Sequence, residues 1–411
     1  MSPITLTILG LQPEPAHTAK NTAPHLSLPQ AAWQWPKPTP KQAAPKIGFI
    51  DHWQVPVAEP TALIAKALQH RRPRAAKYPA AATCLDDLDA LLLARFAPKA
   101  TPQESAKHAL LADLATDTAL KKALSQEHGQ GNQWVALSRL EPVHLQAGTD
   151  HAVVMGARYL NLSKDERQTW ANDFNQWLKP DGLTWLTAAS GRHYLGYTAA
   201  AAASMGAQDL PPLGCALNRN AQPLLAGDTL RGMRRWLTET QMWLYAHPLN
   251  ARRAQQGRPE LNSLWVWGRS HYEAEKLTGL LSGEPPIAPA PTGTLPPFIY
   301  TDSAVLAGAL IASMGASALQ LARNATPQCE DLPARVLTGE QPLHLIWSEP
   351  AWCYLEGDIE GWQQSLDAIE HFVQALSTHN QTKPRISLDD GLSRQWHPAR
   401  TGIMGLWSRF W

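Results

Sequence analysis

The sequence predicts an α/β protein built on a mostly parallel sheet with helices on both faces. Two observations predict it. Short apolar runs bounded by turn formers recur along the chain, at residues 4–9, 183–186, 264–267, 298–301 and 343–347, and read as buried strands. Stretches with apolar residues at helical spacing stand between them, and alternating strand and helix signals require this class. Composition agrees: 411 residues with 44% hydrophobic and 17% charged side chains give a chain long enough for two domains and a sizeable core.

The same numbers exclude several functions. A formal net charge of +1 provides no field for nucleic acid or an anionic membrane. Cys84, Cys215, Cys329 and Cys353 stand far apart with no C-x-x-C pair, against a disulfide framework or a thiolate zinc site. No apolar run approaches the ~18 residues of a membrane span, and no basic-then-apolar leader opens the chain. The expected location is cytoplasmic, with no nucleic-acid partner and no membrane span.

In order, residues 4–9 form a first strand before Gly10, and the Pro-, Thr-, Lys- and Ala-rich residues 12–46 read as an extended linker. Helices are expected at 61–69 and 85–96. The second sets Leu85, Leu88, Leu92 and Phe96 on one face and carries Asp86, Asp87 and Asp89 near its start. A helical region carrying Glu104 follows. Residues 134–144 and 153–155 read as strands joined by a turn at Gly148, Thr149 and Asp150. His144, Asp150 and His151 read two ways. Strand alternation and the turn bring them together as a metal or acid/base cluster, or they are a strand histidine and a turn Asp that caps its own backbone. Ser163 and Glu166 make a capping box that opens a helix through Trp170, Phe174, Trp177 and Leu178. A turn at Asp181–Gly182 leads to the strand at 183–186, and Gly191, Arg192 and His193 lie beyond it.

Residues 230–268 are the centre of the pattern. Leu230, Met233, Leu237 and Leu244 share one helical stripe, with Trp236 and Trp243 beside it. Pro248 is expected to end that helix. A basic loop with Arg252, Arg253 and Arg258 then leads to a buried strand at 264–267, closed by Gly268. Asn262 is expected to tie that loop to the sheet. Further on come a Pro-rich connector at 288–297, a strand ending near Asp302, a small-residue helix at 304–314 and a strand at 343–347. A helix carrying Leu366, Ile369, Phe372 and Val373 follows, then a last strand near 385–390. The aromatic, basic tail at 405–411 packs on the body, or docks on a protein partner or a membrane surface.

His247, Pro248, Asn250, Arg253, Gly257, Asn262 and the run Trp265-Val-Trp267-Gly268 resemble a pattern of the archaeal-type, cofactor-independent phosphoglycerate mutases of the alkaline phosphatase superfamily. The run PVHLQAGTDHAVV resembles a bacterial branch of that group, the RpfE-type regulatory proteins. The resemblance implies an alkaline-phosphatase-like sheet with a smaller inserted α/β domain. The divisions it implies are 1–99 for the N-terminal part of the core with its linker, 100–215 for the insert, and 216–411 for the C-terminal part of the core. It also implies where ligands belong. Metal-binding positions of the family fall on Leu9, Ala351 and Leu355, and the phosphorylated serine falls on Asp86. An aliphatic side chain coordinates no cation. The expectation is therefore a non-catalytic, regulatory or phosphometabolite-binding relative without a cofactor. The alternative is a metal-dependent mutase or phosphatase using Mn, Zn or Mg. A small phosphorylated metabolite would be held by Arg192, His193 and Arg253, with Asn262 and Asp302 completing the site, since paired guanidinium groups suit an oxyanion.

Overall fold

The computed structural model describes residues 4–9, 74–75, 88–129, 134–149, 151–206, 208–273, 297–314, 319–321, 326–379, 386–389 and 394–396. The linker at 12–46, the helix expected at 61–69, Asp86, Asp87, Asp150, most of the 288–297 connector and the tail at 405–411 lie outside them.

In chain order the strands are β1 (Ile4–Ile8), β2 (Arg74–Ala75), β3 (Trp134–Ala147), β4 (Ala152–Met155), β5 (Leu183–Thr187), β6 (His193–Thr198), β7 (Ser263–His271), β8 (Phe298–Thr301), β9 (Leu319–Leu321), β10 (Leu343–Trp347), β11 (Ile386–Asp389) and β12 (Arg394–Trp396). The helices used below are α1 (Leu88–Phe96), α2 (Ser105–Thr116), α3 (Thr118–Gly129), α4 (Ala157–Leu160), α5 (Lys164–Leu178), α6 (Ala199–Met205), α7 (Arg231–Tyr245), α8 (Pro248–Gln255), α9 (Ala304–Met314), α10 (Glu349–Leu355) and α11 (Ile359–His379).

Two sheets organise the molecule. The first has the order β2-β12-β11-β1-β10-β8-β9. Its run from β11 to β9 is parallel, and β12 adds the antiparallel edge that it shares with β2. The fold is thus mixed α/β with a parallel sheet, as the alternating signals predict. Ile8 pairs with Trp347, and Ile346 with Thr301, so the C-terminal ends of three central strands finish level. Leu6, Ile8, Tyr300, Leu345, Ile346 and Trp347 are buried. A parallel strand covered on both faces is apolar along its length, which is why these runs stood out in the sequence.

The second sheet is antiparallel throughout. The long β3 is its spine: it pairs with β6, β7 and β4, and β5 extends it through β6. Because β7 begins at Ser263, a division at residue 215 falls between two strands of this one sheet. The strand expected to close at Gly268 runs on to His271 through a bulge. Leu137 pairs with Ser270 and Arg139 with Trp267, so Gly268 and Arg269 together face one residue of β3. Gly268 has φ +70°, and a Cβ there would lie 2.1 Å from Ser105 Oγ; both facts require glycine.

The central stretch differs from expectation in one respect. Pro248 does not leave a basic loop behind it but starts α8, at the first helical position, where its missing N–H costs nothing. His247 is the N-cap: its Nδ1 accepts from Leu249 N at 3.2 Å. Its ring lies between Trp170 (4.1 Å) and Trp243 (4.8 Å), within an aromatic cluster where Trp177 and Trp243 stack 3° from parallel. The stripe on α7 buries Met233, Trp236, Leu237 and Leu244 as the spacing predicts. The capping box on α5 is present in full, with Ser163 and Glu166 each bonding the other's backbone N–H. Between the two sheets, α9 crosses α2 so closely that a Cβ on Gly308 would sit 1.7 Å from the His108 carbonyl oxygen.

Candidate functional site at the strand ends

In open α/β sheets ligands gather beyond the carboxyl ends of the strands. Leu9 follows β1, Asp302 follows β8, and Ser348 with Glu349 follows β10. Leu9 N donates to Trp347 O at 2.9 Å, which carries the β1–β10 ladder to that edge. Asp302 is turned inward. It accepts from Ser348 N (2.8 Å), Ser348 Oγ (2.9 Å) and Glu349 N (2.7 Å), so the chain's own carboxylate fills the N-terminus of α10. Burial pushes its pKa up to about 7 against the Ser348 hydrogen bonds that favour the anion, and Glu349 nearby adds to the rise.

Beside Asp302 lies an ion-pair knot. Arg158, on α4, donates from Nη2 to Glu349 Oε1 at 2.5 Å and from Nη1 to Glu356 Oε1 at 2.7 Å. Its Nε lies 3.4 Å from Asp358 Oδ2, and its backbone N–H donates to Glu356 Oε2 at 3.0 Å. Burial works against the guanidinium charge, but Glu356 and Glu349 outweigh it and raise the pKa. Burial also raises Glu356, which Arg158 counters. Glu141 on β3 faces the same knot; burial lifts it to about 7 against Arg139, and Glu356 adds to the rise. The Cys353 thiol is pushed up to about 12 by burial, and is inert as a nucleophile near neutral pH.

The positions where the resemblance puts metal ligands are apolar and enclosed: Leu9 is 0%, Ala351 0% and Leu355 2% exposed. Among the described residues no group of three or more His, Cys, Asp or Glu is arranged to hold a metal ion. A two-metal phosphoryl-transfer centre does not fit these side chains.

The three residues expected to hold a phosphate are each bonded to different partners. Arg192 grips Asp113 through Nη2 at 2.9 Å and Nε at 3.2 Å, and Tyr194 Oη donates to the same carboxylate at 2.6 Å. His193 points the other way along β6, 4% exposed, where Trp185 Nε1 donates to its Nδ1 at 3.1 Å. Burial, with Arg167 nearby, pushes its pKa down to about 3, so it stays neutral and brings no positive charge. Arg253 is 1% exposed and bonds Glu166 Oε1 (2.7 Å), Leu160 O (2.5 Å) and Pro259 O (2.8 Å). Asn262 pairs with the backbone of β3, accepting from Leu145 N at 2.6 Å and donating to Leu145 O at 3.0 Å. It therefore ties the start of β7 to the sheet, where the expectation had it tie a basic loop that is instead α8. Of the five, only Asp302 lies at the strand ends.

In the possible His144 cluster, the His144 Nδ1 bonds Glu260 O at 2.8 Å and its ring meets Tyr159 at 5.5 Å. The His151 ring lies over Gly148, whose Cβ would be 2.5 Å from it. The turn is closed by Ala147 opposite Ala152, three residues along β3 from His144 and about 10 Å away at strand rise. The two imidazoles thus have separate neighbours. A cavity of about 440 Å³ bounded by Gln328, Cys329, Glu330, His371 and Phe372 shares no lining residue with the knot.

Sequence reading missed Arg158, Asp113 and Glu141. Arg158 meets Glu356 across 198 positions and Arg192 meets Asp113 across 79, separations that no local pattern encodes.

No family model matches the chain, and no curated protein matches it. Among solved structures it is similar to the cofactor-independent phosphoglycerate mutase from Thermoplasma acidophilum, at 16% identity over 98% of this chain and 91% of that one, with a TM-score of 0.29. It is also similar to a protein from Pyrococcus horikoshii, at 11% identity over 65% of each chain, again with a TM-score of 0.29. At this level of likeness neither structure assigns an activity to this chain.

Proposed function

We propose that this chain is a non-catalytic, regulatory relative of the cofactor-independent phosphoglycerate mutases, keeping an alkaline-phosphatase-like scaffold without its chemistry. One observation carries the reading: Leu9, Ala351 and Leu355 are packed as core where the resemblance calls for metal ligands. Phosphoryl transfer needs cations beside the attacking and leaving oxygens, with those two oxygens in line through phosphorus. Here the acids at the strand ends are already committed. Asp302 caps α10, and Glu349, Glu356 and Asp358 surround Arg158.

The phosphometabolite-binding form of this reading places the anion among Arg192, His193 and Arg253. Such a ligand would have to compete with Asp113 for Arg192 and with Glu166 for Arg253, and His193 would meet it uncharged. The geometry therefore favours a regulatory scaffold over a metabolite sensor at those residues. Turnover of 3-phosphoglycerate, assayed with Mn, Mg and Zn each supplied, tests the reading. Rates at background support it, and metal-dependent turnover well above background removes it. Calorimetry with 3-phosphoglycerate and phosphoenolpyruvate separates the two forms: no heat of binding is expected. Binding that an Arg192→Ala, Arg253→Ala double substitution abolishes would favour the sensor.

A further inference from the structure

We propose that Arg158 is a latch that holds the antiparallel sheet shut over the carboxyl ends of the parallel strands. Three features converge on it. First, one guanidinium reaches carboxylates along α10 and the turn that follows it: Glu349 at the start of α10, Glu356 at its end, and Asp358 just before α11. Second, the backbone at Arg158 takes part, donating to Glu356 Oε2, and Gly156 makes room for it. A Cβ on Gly156 would lie 2.8 Å from that same oxygen. Third, a second strap from the antiparallel side reaches the same turn. Asn218, held in the left-handed region at φ +57°, donates from Nδ2 to Leu355 O at 2.9 Å. Its own N–H donates to Val154 O at 2.8 Å, on β4 just ahead of Arg158.

Residues 154–158 and 218 thus close on residues 349–358 from one direction. The charged groups facing Arg158 are Glu349, Glu356 and Asp358 from the α10–α11 side and Glu141 from β3, with the Cys353 thiol alongside; Arg139 and Arg167 face Glu141 in turn. Glu356 is buried and Glu349 and Asp358 are partly exposed; without their shared cation the three carboxylates repel one another, which weakens the contact between the two sides. The latch has three arms on one cation, and opening it exposes an acidic face. This holds whether or not the chain turns over a phosphate ester.

Hydrogen–deuterium exchange on the full chain, with Arg158→Met, tests it. Amides in 156–160 and in 349–361 are expected to exchange faster together, by about tenfold or more, while those of β6 and β8 keep their native rates. Faster exchange in one of the two segments alone, or in neither, overturns the proposal. If Arg158→Met does not fold, Glu349→Gln breaks one arm and leaves Glu356 in place. It should give a smaller rise in the same two segments, and native exchange at 156–160 in that variant overturns the proposal equally.

Discussion

Arg253 shows how much a single residue carries here. Its guanidinium is enclosed and bonded to Glu166 and to the carbonyls of Leu160 and Pro259, which joins α8 to the start of α5. Replacing it with Met takes this donor from two carbonyls, while Glu166 keeps Arg258 as its partner. A loss of about 2–4 kcal/mol is expected, read from urea unfolding. An Arg253→Met protein of native stability would show that the bonds are decorative. Glu141 gives the opposite case. Its pKa in the fold, about 7, lies above the ~4.3 of an unfolded glutamate. The fold therefore favours the protonated form, and stability is lost as pH rises from about 4 to about 7. Glu141→Gln should flatten that decline and raise the melting temperature at pH 8; a parallel decline in both proteins would contradict the assignment. Asp302 shares the direction and the window, but its hydrogen bonds from Ser348 and Glu349 make it a poor test.

At the scale of elements, local signals were legible and long-range ones were not. The capping box at Ser163 and the apolar stripe on α7 are encoded within a few residues, and both formed. Pro248 was ambiguous, because proline ends one helix and begins another by the same steric rule, and only the His247 cap decides between them. Arg253 stood out in the sequence, but its role turned on Glu166, 87 positions away. A basic side chain reads as a ligand contact until its partner is known. The α2–α9 crossing was equally silent. Small residues at 304–314 let a neighbour come close, but nothing in their spacing names α2 as that neighbour or Gly308 as the contact with His108. Gly308→Val would drive a side chain into backbone that cannot give way. A destabilisation of about 3 kcal/mol is expected in denaturant melts, with Gly308→Ala intermediate. If Gly308→Val melts with the native protein, the two helices do not cross as described.

For the whole molecule, a parallel sheet and an antiparallel one meet at a strand-end face that the chain fills with its own groups. Aliphatic side chains take three positions, Asp302 takes a helix N-terminus, and Arg158 takes the carboxylates. The parallel sheet was legible from its apolar runs. The extent of the antiparallel sheet was not, because β7 joins β3 across 120 to 135 positions. The occupied face is the reason to read the protein as a scaffold. Metal content tests that reading most directly, because two bound ions are the minimum that phosphoryl transfer of this type needs. Elemental analysis after dialysis against Mn, Zn and Mg in turn should find well under one ion per chain. Two tightly held ions per chain would contradict the account.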